Sequence, residues 1–512
     1  MTLEQQLQEA GWPADDRLQP IIKHAHELIE QGRAKDFDYL NKQLKRAFPD
    51  DFASLRMREK PALISLAVRA ETPEAERNLA KARSQMEELL KCPVITRGAL
   101  MPDACPAGDA AAAIPVGGAI ETLNAIIPAA HGGDICCSLH ASFFQSELSV
   151  PELMEQVQAS TRFGPGGRQP SEQILHPVLD EPVWDNPFLS GLQDKAVAHL
   201  ADQGDGNHFA FLGEMEVGER ALDHAPNSTI GTLFEQLKGE RKWKVLVTHH
   251  GSRSLGSTVF LRGLEAAVKH TRIHARGIPD EAAWLDAEST QGRDYWEALQ
   301  YLARWTKANH RCIHEGFAER IGAKIIAEAG NEHNFVWRRG ERYLHGKGAT
   351  PAWPDASGPR LGLIPLNLAE PILLTEGSDH ERYLSFSPHG AGRNLSRRAL
   401  VRRYMHKKRG FNQAKLDADL AKSTEGIEVR WYHGQPDISE SPLAYKSAET
   451  IRKQIAEHAL AKVVAEIRPL GSLMAGRSLR QERPMTPKEK RQIEHRKERR
   501  KVRQRDWEDW TE

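Results

Sequence analysis

Lys242-Trp-Lys-Val-Leu-Val-Thr248 runs without a break into His249-His250-Gly251-Ser252-Arg253. The first seven residues form a short apolar run containing β-branched and aromatic side chains, which predicts a strand. Two imidazoles, a glycine, a hydroxyl and a guanidinium stand at its end. From about residue 92 to 145, Gly, Ala, Pro, Ile and Cys dominate and long charged side chains nearly vanish. That composition predicts buried strands and turns with backbone packed closely around something. A second strand-and-loop region covers residues 360 to 395. Between these lies a strongly helical stretch, 291 to 329, with Tyr295, Leu299, Leu302, Trp305, Ile313 and Phe317 spaced as a buried stripe. Thr72-Pro73-Glu74 opens a helix over residues 73 to 90, and a further helix is predicted from 446 to 466, ahead of the apolar Leu470 to Met474. Periodicity therefore predicts a mixed α/β fold.

With 512 residues the chain exceeds one small domain and has ample material for a sizeable core. Its 70 basic and 70 acidic side chains cancel, so net charge predicts no polyanion partner and any basic surface is local. No stretch approaches the roughly 20 apolar residues needed to span a bilayer. Met1 to Gln6 lacks a basic segment followed by an apolar core, so a cytoplasmic location without membrane contact is expected. The five cysteines, Cys92, Cys105, Cys136, Cys137 and Cys312, are too sparse for a disulfide framework. Neighbouring cysteines rarely bridge each other, so one of Cys136 and Cys137 is a candidate metal ligand or reactive thiol. At the N-terminus, residues 1 to about 60 read as two polar helices split at Gly11-Trp12-Pro13. After Gly476 the composition turns rich in Arg and Lys.

Five islands bear chemistry: Gly132-Gly-Asp-Ile-Cys-Cys137, Gly204-Asp-Gly-Asn-His208, His249 with Gly251-Ser-Arg253, His333-Asn-Phe335, and Ser387-Pro-His-Gly-Ala-Gly-Arg393. Asp134 and Cys137 are close enough to aim at one site from a tight loop. A lone histidine is more often a hydrogen-bonded structural residue, and a glycine-rich loop is usually a turn. Several such loops together are harder to dismiss. One thiolate and three imidazoles suggest zinc or another borderline metal. A histidine among Asn, Arg and backbone N–H groups suits a phosphate. Spacing alone leaves one metal or two open, and leaves His389 either a nucleophile or a further ligand.

In this order the islands resemble the RtcB family of 3′-phosphate/5′-hydroxyl RNA ligases, from about residue 73 to 476. Met101-Pro-Asp103, Val116-Gly-Gly118, Gly292-Arg-Asp-Tyr295 through Ala308-Asn309, Lys347-Gly-Ala-Thr350 and Pro442 to Lys446 extend the likeness between and beyond them. The resemblance implies an α/β catalytic domain with a β-sandwich-like core flanked by helices over residues 66–476. A helical extension, 1–65, would precede it, and a basic tail, 477–512, helical or disordered, would follow. Asp134, Cys137, His208, His249 and His333 would bind two Mn²⁺ ions, with the thiolate between them. His389 would attack the GTP α-phosphate to form a histidine–GMP phosphoramidate. Asn207, Arg253 and Arg393 would steady phosphate oxygens, with Ala391 and Gly392 in the same nucleotide-binding motif, and Tyr445 would stack on or edge the base. The implied substrate is RNA with a 3′-phosphate or 2′,3′-cyclic phosphate and a 5′-hydroxyl, joined in RNA repair or tRNA processing. The tail is then either a solvated face or an electrostatic arm for RNA phosphates.

The chain departs from the family pattern at Cys105, where a histidine is usual, and at Phe211, where a glutamate is usual. Ile364-Pro-Leu-Asn-Leu-Ala369 and Ala475-Gly476 also differ, losing glycines, a serine and a lysine. Phe211, Leu366 to Ala369 and Ala475 fall at positions associated with the nucleotide, so the identity of the base stays open. Two other functions remain: a metal-dependent phosphoesterase that opens cyclic phosphates without sealing, and a non-catalytic RNA-binding scaffold. Joined RNA product separates the first from a ligase. Insensitivity of the biological role to Cys137 or His389 substitution would mark the second.

Overall fold

The computed structural model describes residues 2–218, 228–355, 358–406 and 410–476. The fold is mixed α/β, and two sheets organise it. The larger has the order Ala327–Glu332, Ser138–Phe144, Lys242–His250, Phe209–Glu216, Ala461–Met474, Ile372–Gly377 and Leu361–Pro365, all antiparallel. Glu428–Trp431 runs parallel to Ala461–Met474. Its two end strands approach each other, so the sheet nearly closes on itself. The Asn331 side chain bridges that seam, accepting from Leu363 N at 2.8 Å and donating to Leu363 O at 3.4 Å.

Strand alternation sorts the residues of this sheet except at the register shifts after Leu374 and Pro469. Inward-facing Phe143, Phe211, Val245, Val247, Ala327, Leu363, Leu374 and Ile467 meet in one core. Helix Thr229–Gln236 closes one end of that core with Ile230, Leu233 and Phe234, and Trp243 Nε1 donates to Leu237 O at 3.0 Å just beside it. The outward face carries Phe144, Ala210, Leu212, Leu246 and Leu473 against helix Val150–Ser160 and Phe317 of the long helix Thr290–Ile321. The second sheet has the order Leu63–Leu66, Ile95–Cys105, Val116–Leu123, Arg342–Lys347 and Asn334–Arg339, with only its first pair parallel. Helix Pro73–Leu89 packs Met86 and Leu89 onto it.

Three elements differ from their sequence expectations. The N-terminal region holds three helices, Leu3–Glu9, Leu18–Glu30 and Phe37–Ala47, because Gly32 takes a left-handed φ of 65° and Asp36 caps a fresh start. They share a small core of their own around Leu7, Trp12, Ile21 and Leu44. The long helix stops at Ile321, where Gly322 supplies the left-handed cap, and strand Ala327–Glu332 follows. The predicted helix 446–466 is only Ala448–Glu457, and Ala461–Met474 is a 14-residue strand. Pairing on both sides, with Phe209–Glu216 and Ile372–Gly377, overrides local helix propensity there. Among the described residues no helix is long and apolar enough to cross a membrane. The basic stretch 477–512 lies outside the described residues.

Candidate functional site

The open end of the nearly closed sheet, opposite the helical plug, collects the donor residues. Continuing the inward alternation of Val245 and Val247, His249 points to the interior at the strand's end. Cys137 and His208 immediately precede the two strands that flank it, and Phe209 pairs with His249 in register. His333 sits between Ala327–Glu332 and Asn334–Arg339, which belong to different sheets, so the site lies where the sheets join. Its N–H donates to Cys137 O at 2.9 Å, tying the junction to the Asp134–Cys137 loop. Cys136 and Arg253 both hold left-handed backbone, at φ 58° and 55°, one residue before Cys137 and at the turn after His249. Strain of this kind persists where the surroundings over-determine it.

Two glycines are required by contact. A Cβ on Gly251 would lie 2.2 Å from Asp134 Oδ1, and one on Gly204, at φ 110°, would lie 2.4 Å from both His208 Nδ1 and an Arg253 guanidinium nitrogen. Their bare backbones let the loops close around the donors.

Cys137 Sγ lies 3.1 Å from His249 Nε2 and 3.6 Å from His208 Nε2. His249 Nε2 lies 3.2 Å from His333 Nε2, and His208 Nε2 lies 2.9 Å from Asp134 Oδ2. These atoms form two overlapping groups able to hold a metal, Cys137–His249–His333 and Asp134–Cys137–His208, with Cys137 in both. Burial pushes His249 down to about 3 and His333 well below the usual imidazole range, so both rings are neutral with a lone pair to give. Burial pushes the Cys137 thiol up, and a bound cation would reverse that. Although burial works to raise it, the His208 imidazole beside Asp134 holds its carboxyl well below the usual carboxylate range. Nitrogen and sulfur lone pairs aimed at one another, beside a partly exposed carboxylate, suit a cation. The mixed S, N and O donors fit a borderline divalent metal.

His389 stands beside this cluster, its ring 4.8 Å from that of His333. It follows strand Phe386–Pro388. Fully buried Asp103 accepts from His389 Nδ1 at 2.5 Å and from its backbone N–H at 3.2 Å. With Nδ1–H so engaged, Nε2 keeps the free lone pair. His389 lines a cavity of about 230 Å³ together with Asn207, Ala391, Gly392, Arg393 and Tyr445. Arg253 is held near Asp202, 3.6 Å away. The Arg393 guanidinium is engaged by Ser439 O at 2.6 Å and Leu395 O at 3.2 Å and lies 5.2 Å over the Tyr445 ring. Arg393 thus lines the cavity wall with two nitrogens on backbone carbonyls and the third 3.4 Å from Glu440 Oε2.

The structure therefore brings together Asp134, Cys137, His208, His249, His333 and His389. Sequence reading assigned no role to Asp103 or Glu440. Asp103 is the only acidic side chain in the buried strand Ile95–Cys105, which was a usable signal. Glu440, 1% exposed, gave none, since it lies in a polar stretch.

A sequence model of the family described as tRNA-splicing ligase RtcB matches residues 185–475. The chain is 31% identical over 313 residues to the tRNA-splicing ligase RtcB of Pyrococcus horikoshii, covering 54% of this chain and 33% of that one. It is 27% identical to the protein of that name from Pyrobaculum aerophilum, over 69% and 74% of the two chains. Against the RNA-splicing ligase RtcB2 of Escherichia coli it is 26% identical, over 77% and 91%. The match spans about a third of the Pyrococcus horikoshii relative's length.

Proposed function

Because this chain belongs to the RtcB family, we propose that it is an RNA ligase joining 3′-phosphate or 2′,3′-cyclic phosphate ends to 5′-hydroxyl ends, in RNA repair or tRNA processing. The observation that carries the reading is the His389–Asp103 pair set against the Cys/His/Asp cluster. Asp134, Cys137, His208, His249 and His333 would hold two Mn²⁺ ions. When bound, such ions neutralise polyphosphate charge and make phosphorus more electrophilic.

His389 is the nucleophile. Asp103 keeps its Nδ1 protonated, and the Nε2 lone pair attacks the α-phosphorus of GTP. A P–N bond forms while the bond to pyrophosphate breaks, and pyrophosphate leaves with the electron pair. An oxygen of the RNA 3′-phosphate then attacks the same phosphorus, the P–N bond breaks, and His389 recovers its lone pair. Finally the 5′-hydroxyl attacks the activated 3′-phosphorus, losing its proton, and GMP departs. A cyclic phosphate end is first opened by water. Asn207, Ala391 and Gly392 line the cavity where the phosphates would lie, and Arg253 and Arg393 supply positive charge beside it. Tyr445 offers a ring to the nucleoside.

We assign the catalytic unit to residues 66–476, with the sandwich-like core of the family in its two sheets. The helices of 1–65 act as an accessory arm, the basic tail 477–512 contacts RNA, and the protein works in the cytoplasm. Incubation with Mn²⁺ and α-labelled GTP is expected to label the protein covalently with acid-labile phosphoramidate, and His389→Ala to abolish the label. An unlabelled protein with every nucleoside triphosphate, while metal is bound, would defeat the assignment.

A further inference from the structure

The cavity beside His389 has two unlike walls. One belongs to the segment from Arg393 to Tyr445 and is polar. The other is the inner surface of the nearly closed sheet, where Phe211 pairs with Ser472 and Phe209 with Met474 in register, and Ile372 continues the same apolar core. Leu366 and Leu368 extend this apolar wall.

The polar atoms available to a base are few. Glu440 is the only carboxylate lining the cavity among the described residues. Its Oε2 accepts from Tyr445 Oη at 2.7 Å and from Arg393 at 3.4 Å, and its Oε1 accepts from Arg397 at 3.0 Å. Both oxygens are thus engaged, and recruiting either would strip one guanidinium group of its partner. Asn367 Oδ1 already accepts from Ala369 N at 2.9 Å, which leaves its amide N–H donors, and those cannot pair with the N–H groups of guanine. Asn207 and Cys105 also line the cavity, Asn207 directly before the metal-cluster residue His208 and Cys105 two residues from Asp103. What remains on the sheet wall is Ser472, 1% exposed, whose Oγ is buried with no partner.

Guanine presents O6 as acceptor and N1–H and N2–H₂ as donors on one edge. Adenine presents N1 as acceptor and N6–H₂ as donor. Against an apolar wall with one hydroxyl, guanine would bury more unpaired groups, and each unpaired group lowers affinity. The Ser472 hydroxyl suffices for one partner on adenine, donating to a ring nitrogen or accepting from the amino group. A ring buried between Phe209, Phe211 and leucine side chains gains from area whichever purine it is.

Resting on the ligase reading above, we infer that the sheet wall of this cavity reads a purine by its area and through the single hydroxyl of Ser472, so that ATP charges His389 at least as readily as GTP. The chemistry is the same: a P–N bond forms on His389, pyrophosphate leaves, and AMP is carried in place of GMP.

The test uses the full chain with Mn²⁺ and each of the four α-labelled nucleoside triphosphates in turn, reading the rate of covalent labelling over a concentration series. ATP is expected to equal or exceed GTP, with CTP and UTP lower by about tenfold for their smaller rings. GTP ahead of ATP by about tenfold or more overturns the inference and leaves the ligase reading standing. Absence of label from all four defeats the ligase reading itself. Ser472→Ala, which deletes one oxygen, is expected to lower ATP labelling by about threefold or more. Unchanged ATP labelling in that variant overturns the role of the hydroxyl. Phe211→Glu places a carboxylate opposite Ser472 and is expected to shift the GTP-to-ATP ratio upward by about tenfold. An unmoved ratio in a folded Phe211→Glu protein counts against the sheet wall as the base-reading surface.

Discussion

In the proposed reaction, Asp103 decides which nitrogen of His389 attacks. By accepting from Nδ1 at 2.5 Å it favours the neutral-ring tautomer whose lone pair is on Nε2, while its own Oδ1 is buried without a partner. Asparagine at this position could donate its amide N–H to Nδ1, moving the ring proton to Nε2 and removing the nucleophile. Asp103→Asn is expected to slow covalent labelling by about 10²–10⁴-fold. Metal content and far-UV circular dichroism should stay at wild-type values; labelling at the wild-type rate would deny Asp103 this role. The sequence exposed Asp134, Cys137, His208 and His249 because glycines stand close by in short islands, while His333 was picked out by the Asn334 beside it. Asp103 was quoted with Met101 and Pro102 but carried no role, since its partner lies 286 residues away. Glu440 was invisible for a related reason: only folding brings Arg393, Arg397 and Tyr445 around it.

At the scale of one strand, the two faces of Lys242–His250 do different work. The inward face ends in His249, while the outward face carries Thr248 into a buried network on the long helix. Thr248 Oγ1 lies 2.6 Å from His310 Nδ1 and 2.8 Å from His314 Nε2, and those rings reach Ser138 and Ser142 on the neighbouring strand at 3.0 Å and 2.8 Å. The i, i+4 spacing of His310 and His314 puts both on one face of the helix. The network therefore fixes the strand that carries His249 and the strand that follows Cys137. Thr248→Val keeps shape but leaves two ring nitrogens buried without partners. It is expected to cost about 2–4 kcal/mol of stability in urea unfolding. A change below about 0.5 kcal/mol would show that buried water replaces the hydroxyl. Reading of the helix gave its buried stripe from aromatic and aliphatic residues, yet passed over these histidines because polar side chains do not enter a hydrophobic period.

For the whole molecule, many imidazoles are held neutral in dry surroundings. Burial pushes His131 down to about 4, and burial together with neighbouring rings pushes His310, His314 and His345 well below the usual range. Unfolding returns each to about 6.5, so below that pH the unfolded chain binds more protons and stability falls. The contribution is fully present above pH 6.5 and is lost as pH drops toward the folded values. Each ring costs about 1.4 kcal/mol per pH unit in that window. The urea midpoint is expected to fall clearly between pH 7 and pH 5.5 with an unchanged slope, and a flat profile would mean the rings are not neutral and buried together. Such losses are large beside the roughly 5–15 kcal/mol that holds a typical domain folded.

Local chemistry is what the sequence alone determined: the strand at residue 242, the glycine-flanked donors, the family pattern and the mixed α/β class. These are legible because alternation, caps and small residues beside reactive ones act over a few positions. Tertiary structure alone decided that residues 461–466, read as the end of a helix, open a 14-residue central strand, because its two neighbours supply the hydrogen bonds. It also decided that His333 falls at the junction of two sheets, and that the cavity beside His389 is walled by the inside of a nearly closed sheet. Those outcomes depend on pairings between residues far apart in the chain, whose free energy no local window contains.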